Sequence, residues 1–221
     1  MPVFKAKNEN FFKVWTPEMA YVLGFFTADG NMIKNKRGAH FISIEITDKD
    51  ILEEMKKAIG SNHKISIRKN QFPEKDSYRL QIGSKVMFND LLKLGITPNK
   101  SKTIDLPEIP KNYFSDFLRG YFDGDGCISF GTYLRKDRNN AKFLLASHFT
   151  SGSKVLLESL LSKLREVFNT KTGFIYTKNR GFDLTLSTND SKKLFSLMYG
   201  NLKNNLFLER KYNKFKKALN L

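Results

Sequence analysis

The stretch Phe114-Ser-Asp-Phe-Leu-Arg-Gly-Tyr-Phe-Asp-Gly-Asp-Gly-Cys-Ile-Ser129 reads as a short apolar helix that stops at two acids, Asp123 and Asp125, each followed by glycine. A cruder copy, Met19-Ala-Tyr-Val-Leu-Gly-Phe-Phe-Thr-Ala-Asp-Gly-Asn31, lies earlier in the chain. Aligned without gaps, Gly24 falls on Gly120, Ala28 on Gly124, Asp29 on Asp125 and Gly30 on Gly126. A repeat of two copies points to two related halves, a pseudo-dimer rather than an array.

Gly24 and Ala28 are four residues apart, as are Gly120 and Gly124, so each pair shares one helical face. Small residues at that spacing let two helix backbones approach closely. Val22, Leu23, Phe25 and Phe26 surround the first pair, and Leu118, Tyr121 and Phe122 the second. A helix apolar almost all round is buried. Gly30 and Gly126 are expected in the left-handed position just past each helix end. Asp29 and Asp125 then sit at helix C-termini, where the backbone dipole is already negative. A carboxylate there needs a cation, and two such ends brought together in parallel make a hard-oxygen cage suited to Mg²⁺. A single Asp-Gly could simply end a helix with a turn. Two copies, each after a small-xxx-small helix, favour the metal site.

These residues resemble the nine-residue motif of the LAGLIDADG homing endonucleases. Val-Leu-Gly-Phe-Phe-Thr-Ala-Asp-Gly and Leu-Arg-Gly-Tyr-Phe-Asp-Gly-Asp-Gly each span it, and Leu94-Gly-Ile-Thr-Pro-Asn-Lys-Ser101 is similar to single-chain members. The resemblance implies an α+β fold of two αββαββα halves, with paired motif helices at the interface and saddle-shaped antiparallel sheets over DNA. The halves are expected at 1–105 and 112–221, with 106–111 as linker. The resemblance also implies that Asp29 and Asp125 are the catalytic metal ligands and that Asp123, opposite Thr27, is not one. The carbonyls of Ala28 and Gly124 are candidate further ligands. Mg²⁺ is the expected cofactor, with Mn²⁺ able to substitute and Ca²⁺ binding without supporting cleavage. A basic residue in each half is implied to polarise water or stabilise the phosphorane: Lys100 and Lys211, with Lys102 and Arg210 as fallbacks. Asp48, opposite Ser151 in the repeat, falls where the family organises water.

Composition agrees with such a partner. With 221 residues, 40% hydrophobic including 20 Phe, the chain can fill a core in each half. The excess of 38 Lys+Arg over 22 Asp+Glu gives +16, the footprint of a nucleic-acid binder. No apolar run is long enough for a membrane span, no basic amphipathic helix suggests a membrane surface, and the first residues lack a signal-peptide core. One cysteine, Cys127, excludes a disulfide framework, fits a reduced intracellular setting and reads as a small packed residue. His40, His63 and His148 have no metal-ligand spacing, and no Gly-rich phosphate loop points to ATP.

Along the chain, Thr16-Pro-Glu18 is a helix start, with Thr as cap and Pro in the first turn. Strands are expected from Asn31 and over 41–47, joined by a basic turn at Lys34-Asn-Lys-Arg-Gly38. In the second, Ile42, Ile44 and Ile46 share one face and Ser43, Glu45 and Thr47 the other. A helix over 48–59 precedes strands at 64–68 and 77–82, then a helix over 84–94. Pro98-Asn-Lys-Ser-Lys-Thr103 leads to a proline-marked linker, Leu106-Pro-Glu-Ile-Pro110, which is the boundary candidate. The second half repeats the order: strands at 127–130, 142–150, 173–177 and 182–186, helices at 154–168 and 191–199, and a lysine-rich tail helix over 208–219. The candidate DNA contacts are Lys34, Lys36, Arg37, Ser43, Glu45, Lys64, Ser66, Arg68, Arg79 and Gln81 in the first half. In the second they are Arg135, Lys136, Arg138, Lys142, Lys178 and Arg180.

The resemblance therefore leads to a monomeric, site-specific endonuclease that cuts both strands of double-stranded DNA across the minor groove, leaving short 3′ overhangs at a long asymmetric target. The rival on the same scaffold is a non-cleaving binder: an RNA maturase assisting intron splicing, or a transcription regulator. Regulators on this scaffold typically lose the acids and add a domain, whereas this sequence keeps Asp29 and Asp125. A free-standing, intron-encoded protein is expected rather than one embedded in an intein.

Overall fold

The computed structural model describes residues 5–71, 75–135, 140–171 and 173–220, with Arg135 described by its backbone alone. Contacts divide these residues into two compact units. The first holds the described residues up to Lys100 together with Pro107–Gly124 and Lys203–Leu208. The second holds Ser101–Leu106, Asp125–Leu202 and the described residues from Glu209 onward.

The first unit opens with helix α1 (Pro17–Asp29), whose N-cap Thr16 accepts a hydrogen bond from the Met19 N–H at 3.1 Å. Strands β1 (Gly30–Lys34) and β2 (His40–Ile46), helix α2 (Lys49–Ala58), strands β3 (Ser66–Arg68) and β4 (Ser77–Gly83) and helix α3 (Lys85–Lys93) follow. The sheet runs β1-β2-β4-β3 with every neighbour antiparallel. Gly60 and Gly95, with φ of 63° and 84°, occupy the left-handed positions expected after α2 and α3.

Every residue of α1 from Met19 to Thr27 is buried, and what it packs on includes α4 (Phe114–Asp125). A Cβ added at Gly24 would stand 2.0 Å from the Phe117 carbonyl oxygen, and one at Gly120 would stand 2.0 Å from the Tyr21 carbonyl oxygen. The two helix backbones thus touch through reciprocal glycines. One turn on, a Cβ at Gly124 would fall 2.3 Å from the Ala28 Cβ. All four small residues of the repeat are required by this approach.

Gly30 departs from the expected left-handed cap. Its φ and ψ are −74° and 144°, and it begins β1 directly. Glycine is needed there for space, since a Cβ would lie 2.2 Å from the Phe26 ring. Gly126 likewise opens a strand. Beneath the helices, Arg119 is 1% exposed and pairs with the equally buried Asp116 at 2.8 Å. It also donates to the Leu206 carbonyl at 2.8 Å and to the Asn204 side chain at 3.0 Å, tying residues 203–208 to α4.

The second unit comprises β5 (Gly126–Arg135), β6 (Asn140–Ser151), α5 (Lys154–Phe168), β7 (Phe174–Lys178), β8 (Gly181–Leu186), α6 (Thr188–Tyr199) and α7 (Glu209–Leu219). Its sheet order, β5-β6-β8-β7, repeats that of the first. Ile128, Leu145, Phe149, Leu184 and Leu186 form the inner face, with Leu156, Leu157, Leu160 and Leu164 of α5 also buried. α5 is capped by Ser153, which accepts from the Leu156 N–H, and ends on Asn169 at φ 49°. β5 runs five residues past the expected Phe130 because its register with β6 continues to Arg135↔Asn140. β8 covers β6 only from Ser147 to Ser151, so the outer half of the β5–β6 hairpin is a two-stranded ribbon. Cys127 is exposed, not packed as expected, since it falls on the outward side of β5. Among the described residues no helix is long and apolar enough to cross a membrane.

Gly120→Ala is expected to lower stability by about 3 kcal/mol or more, the upper end of overpacking costs, because its obstacle is backbone. Gly131→Ala, whose Cβ would meet Tyr133 at an ordinary 3.5 Å, should change it by no more than about 0.5 kcal/mol. Urea midpoints of both variants check the pair.

Candidate active site and nucleic-acid interface

Asp29 is the last residue of α1 and is exposed; Asp125 is the last residue of α4 and is half-buried. Neither helix has a basic residue in its last turn, so neither carboxylate is offset by a cation of its own helix end. The Asp29 Oδ2 lies 3.4 Å from where a Gly124 Cβ would stand, so the two motif helix ends are within contact distance there. Among the described residues no group of three or more His, Cys, Asp or Glu side chains could hold a metal. Any ion at Asp29 or Asp125 would complete its shell with backbone carbonyls, such as those of Ala28 and Gly124, and with water. Such an all-oxygen set fits Mg²⁺ or Ca²⁺ and does not suit a soft metal.

The two lysines singled out by sequence are both buried, at 6% exposure for Lys100 and 8% for Lys211. Their fallbacks Lys102 and Arg210 are exposed. Lys100 begins a short 3₁₀ turn (Lys100–Lys102), and its ammonium donates to the Gly30 carbonyl, one residue past Asp29, with the Phe26 ring 5.8 Å away. Lys211 is in the first turn of α7, on the face that buries Phe215 and Ala218. A lysine is seldom buried unless its charge has a task or a partner. Asp48 precedes α2 without capping it and accepts from the Thr47 hydroxyl at 3.4 Å. Its counterpart Ser151 is buried and accepts from the Ser153 N–H.

The outward face of the first sheet is polar. Register places Asn31, Ser43 and Gln81 in one row and Glu45, Arg79 and Ser66 in the next. Glu45 accepts from Ser77 at 2.6 Å and pairs with Arg68 at 3.6 Å. Ser43 corrects the expectation of an open contact: it is 5% exposed, with Arg79 donating to it at 3.4 Å. Lys34, Lys36 and Arg37 are exposed at the β1–β2 turn, and Lys64 is exposed just outside β3, which begins at Ser66 rather than Lys64. In the second sheet Lys142, Lys178 and Arg180 are exposed. Lys136, Arg138 and the Arg135 side chain lie outside the described residues.

Two family models cover most of the chain: residues 118–220 match the LAGLIDADG endonuclease model and residues 16–94 a LAGLIDADG-like domain. The chain belongs to the LAGLIDADG family. The meganuclease I-SmaMI, solved on uncleaveable DNA, superposes with a TM-score of 0.61 at 17% identity, covering 93% of this chain and 89% of that one. The I-AabMI meganuclease, bound to uncleaved DNA, gives 0.63 at 15% identity over 93% and 90%. The I-LtrWI LAGLIDADG homing endonuclease, bound to target DNA, gives 0.59 at 16% over 96% and 91%. An uncharacterized protein of Methanocaldococcus jannaschii is 28% identical over 118 residues, 52% of this chain and 40% of that protein. The RNA polymerase subunit Rpo1C of the same organism is 26% identical over 132 residues, 58% of this chain and 15% of the subunit. The chain thus spans less than half the length of the curated relatives it matches.

Within this LAGLIDADG frame Asp123 is a structural acid. It is 1% exposed, and its Oδ2 accepts from the Tyr21 hydroxyl at 2.8 Å and from the Leu208 N–H at 2.8 Å. Thr27, its counterpart, donates to the Leu23 carbonyl inside its own helix, so the first copy does without an acid there. Sequence gave no sign of the Tyr21 and Leu208 contacts, because both partners are distant in the chain. Asp123→Ala should cost about 2–3 kcal/mol through the unsatisfied donors it leaves, measured by urea unfolding.

On the second sheet His148 bridges the Ser129 and Thr185 hydroxyls at 3.0 Å each. Burial holds its imidazole below the usual value, the nearby Asp183 carboxylate opposing and Lys178 assisting. Burial would raise Asp183, but hydrogen bonds from Lys178 and Thr150 outweigh it and keep it charged. His63 is also held down, chiefly by burial. For a base depressed on folding, the unfolded chain takes up the proton first, so stability falls as pH drops below about 6.5. Urea midpoints at pH 8 and 5.5 should differ in that direction, and His148→Gln should shrink the difference, His63 supplying the remainder.

Proposed function

We propose that the protein is a metal-dependent, site-specific DNA endonuclease of the homing type, acting as a monomer on a long asymmetric duplex target. The observation that carries the reading is the pairing of kept acids with buried lysines. Asp29 and Asp125 end the two motif helices, and Lys100 and Lys211 are both buried while their basic neighbours are exposed.

In this reading Asp29 and Asp125 are the carboxylate ligands, with the Ala28 and Gly124 carbonyls as further donors. A divalent cation bound there, Mg²⁺ in function, supplies Lewis acidity toward the phosphoryl oxygens and lowers the pKa of water. Lys100, whose ammonium donates to the Gly30 carbonyl, and Lys211, buried on α7, are the cations that stabilise the charge developing on phosphorus. Asp48 orients water. The basic surface and polar sheet faces bind the duplex, the phosphate contacts supplying affinity and the base edges sequence. The domain division follows the repeat, with halves at 1–105 and 112–221 joined by 106–111.

Selection from a randomised duplex library tests this, comparing cleavage in Mg²⁺ with binding in Ca²⁺. One long, asymmetric site cut only in Mg²⁺ is the expected result. Asp29→Asn or Asp125→Asn should then abolish cleavage with Kd changed less than about fivefold, and Lys100→Met should slow it by about 10² or more, the scale of a lost electrostatic stabiliser. Tight binding of wild-type protein without a cut in either metal would overturn the nuclease and leave a non-cleaving binder.

A further inference from the structure

We propose that the second sheet reads its DNA half-site chiefly through thymine 5-methyl groups, with Tyr133, Leu144, Phe174 and Tyr176 as the contacting side chains. The inference rests on the nuclease reading above and goes beyond it to the base content of one half-site.

The outward face of this sheet is fixed by register. Phe174 stands opposite Thr185, Thr185 opposite His148 and His148 opposite Cys127; Tyr176 stands opposite Asp183 and Asp183 opposite Thr150. Along the ribbon, Leu144 faces Gly131 and Lys142 faces Tyr133. Inner positions such as Leu145, Phe149, Leu184 and Leu186 are buried, so the alternate set points outward. Four large apolar side chains occur in that outward set: Tyr133 at 55% exposure, Leu144 at 41%, Phe174 at 64% and Tyr176 at 53%.

The first sheet is different. Its outward rows carry Arg68, Arg79, Glu45, Gln81 and Asn31, and among the described residues of that face Ile33, at 37%, is the one exposed large apolar side chain; Ile67, at 56%, pairs with Tyr78 on the opposite face of the sheet. Arginine and glutamine suit guanine and adenine edges, whereas the only apolar feature a base edge shows in the major groove is the thymine methyl. A β-ribbon such as the outer β5–β6 hairpin has the width to enter that groove.

The charge around the apolar row says what covers it. Lys142 shares the row with Tyr133, and Arg180 borders Tyr176 at the β7–β8 turn, where Lys178 is paired with Asp183. A second copy of a +16 chain would bring like charges together there, whereas a duplex sets phosphates against the lysines and base edges against the aromatics. His148, hydrogen-bonded to Ser129 and Thr185, lies in the middle of the face, with the four exposed apolar groups on either side of it.

The test uses the full chain and the duplex site it selects from a randomised library. Replacing thymine by deoxyuridine removes the methyl and nothing else. Substitution throughout the half-site read by the second sheet should weaken binding about fourfold for each methyl that is buried, the scale of one methylene-sized group. In the other half-site the loss should stay under twofold. Repeating the selection with Tyr176→Ala identifies the half, as the one whose base preference relaxes. Because the uridine arm uses unaltered protein, it does not depend on the variant folding. Uridine tolerated in both halves, or equally harmful in both, overturns the inference while leaving the nuclease in place. A concentration-dependent dimer abolished by Tyr176→Asp would also overturn it. Failure to select any site would remove the nuclease reading itself.

Discussion

Two glycines, Gly24 and Gly120, each have the other helix's carbonyl oxygen where a Cβ would be. No side chain can be accommodated between α1 and α4 at that point, and both helices are buried around it, α1 by apolar residues and α4 by apolar residues together with Asp116, Arg119 and Asp123, which meet partners of their own. That constraint accounts for the composition of both motif stretches. It also accounts for where the acids are. The small residues one turn later, Ala28 and Gly124, are in contact distance, so the next residue of each helix is the first with room for a functional side chain. In α1 that residue is Asp29, and in α4 it is Asp125. The residues after them, Gly30 and Gly126, start the first strand of each sheet with no intervening loop, so helix end and sheet are linked by a single peptide bond.

The charges buried around this pair divide by what they meet. Arg119 and Asp116 meet each other, and Asp123 meets a hydroxyl and an N–H. Ion pairs of that kind add little net stability over apolar replacements, but losing one partner costs about 3–5 kcal/mol. Their effect is to fix residues 203–208 on α4 in one arrangement. Lys100 is different in kind. Its ammonium donates to the Gly30 carbonyl, one residue past Asp29, and so is held in place beside that helix end.

How much of this could be read from sequence depends on whether a signal was local. The helix start at Thr16-Pro17, the helix over 154–168 and the caps at Gly60 and Gly95 were legible because capping and periodicity are short-range. That Asp29 and Asp125 end the two motif helices was legible through the repeat, whereas the burial of Lys100 and Lys211 had no local signal. Three further kinds of feature were not legible. Gly30 was taken for a left-handed cap, yet it is glycine because of the Phe26 ring, a packing fact invisible to turn rules. Ser43 was placed on an open face by alternation, yet Arg79 from the neighbouring strand folds over it. The extension of β5 to Arg135 depends on a partner strand, and nothing in residues 131–135 alone announces it. Alternation also treats outward apolar residues as noise, which is why Phe174 and Tyr176 drew no attention before the register was known.

The two sheets share a strand order but not a surface chemistry, and the physical reasons are separable. Hydrogen-bonding side chains such as Arg79 and Gln81 lose water on binding and regain only what a matching base edge offers, so they discriminate strongly and contribute modestly to affinity. Leu144, Phe174 and the ring faces of Tyr133 and Tyr176 gain by the area they bury, so they contribute affinity with little salt dependence. Exposed apolar rows would ordinarily invite self-association. A net charge of +16 opposes it, since each copy repels the next. The same charge draws the chain toward a polyanion, on which repulsion is relieved and the apolar row is covered. The basic surface and the aromatic face are therefore parts of one solution: the charge that keeps the free protein apart is the charge that brings the aromatic face to its ligand.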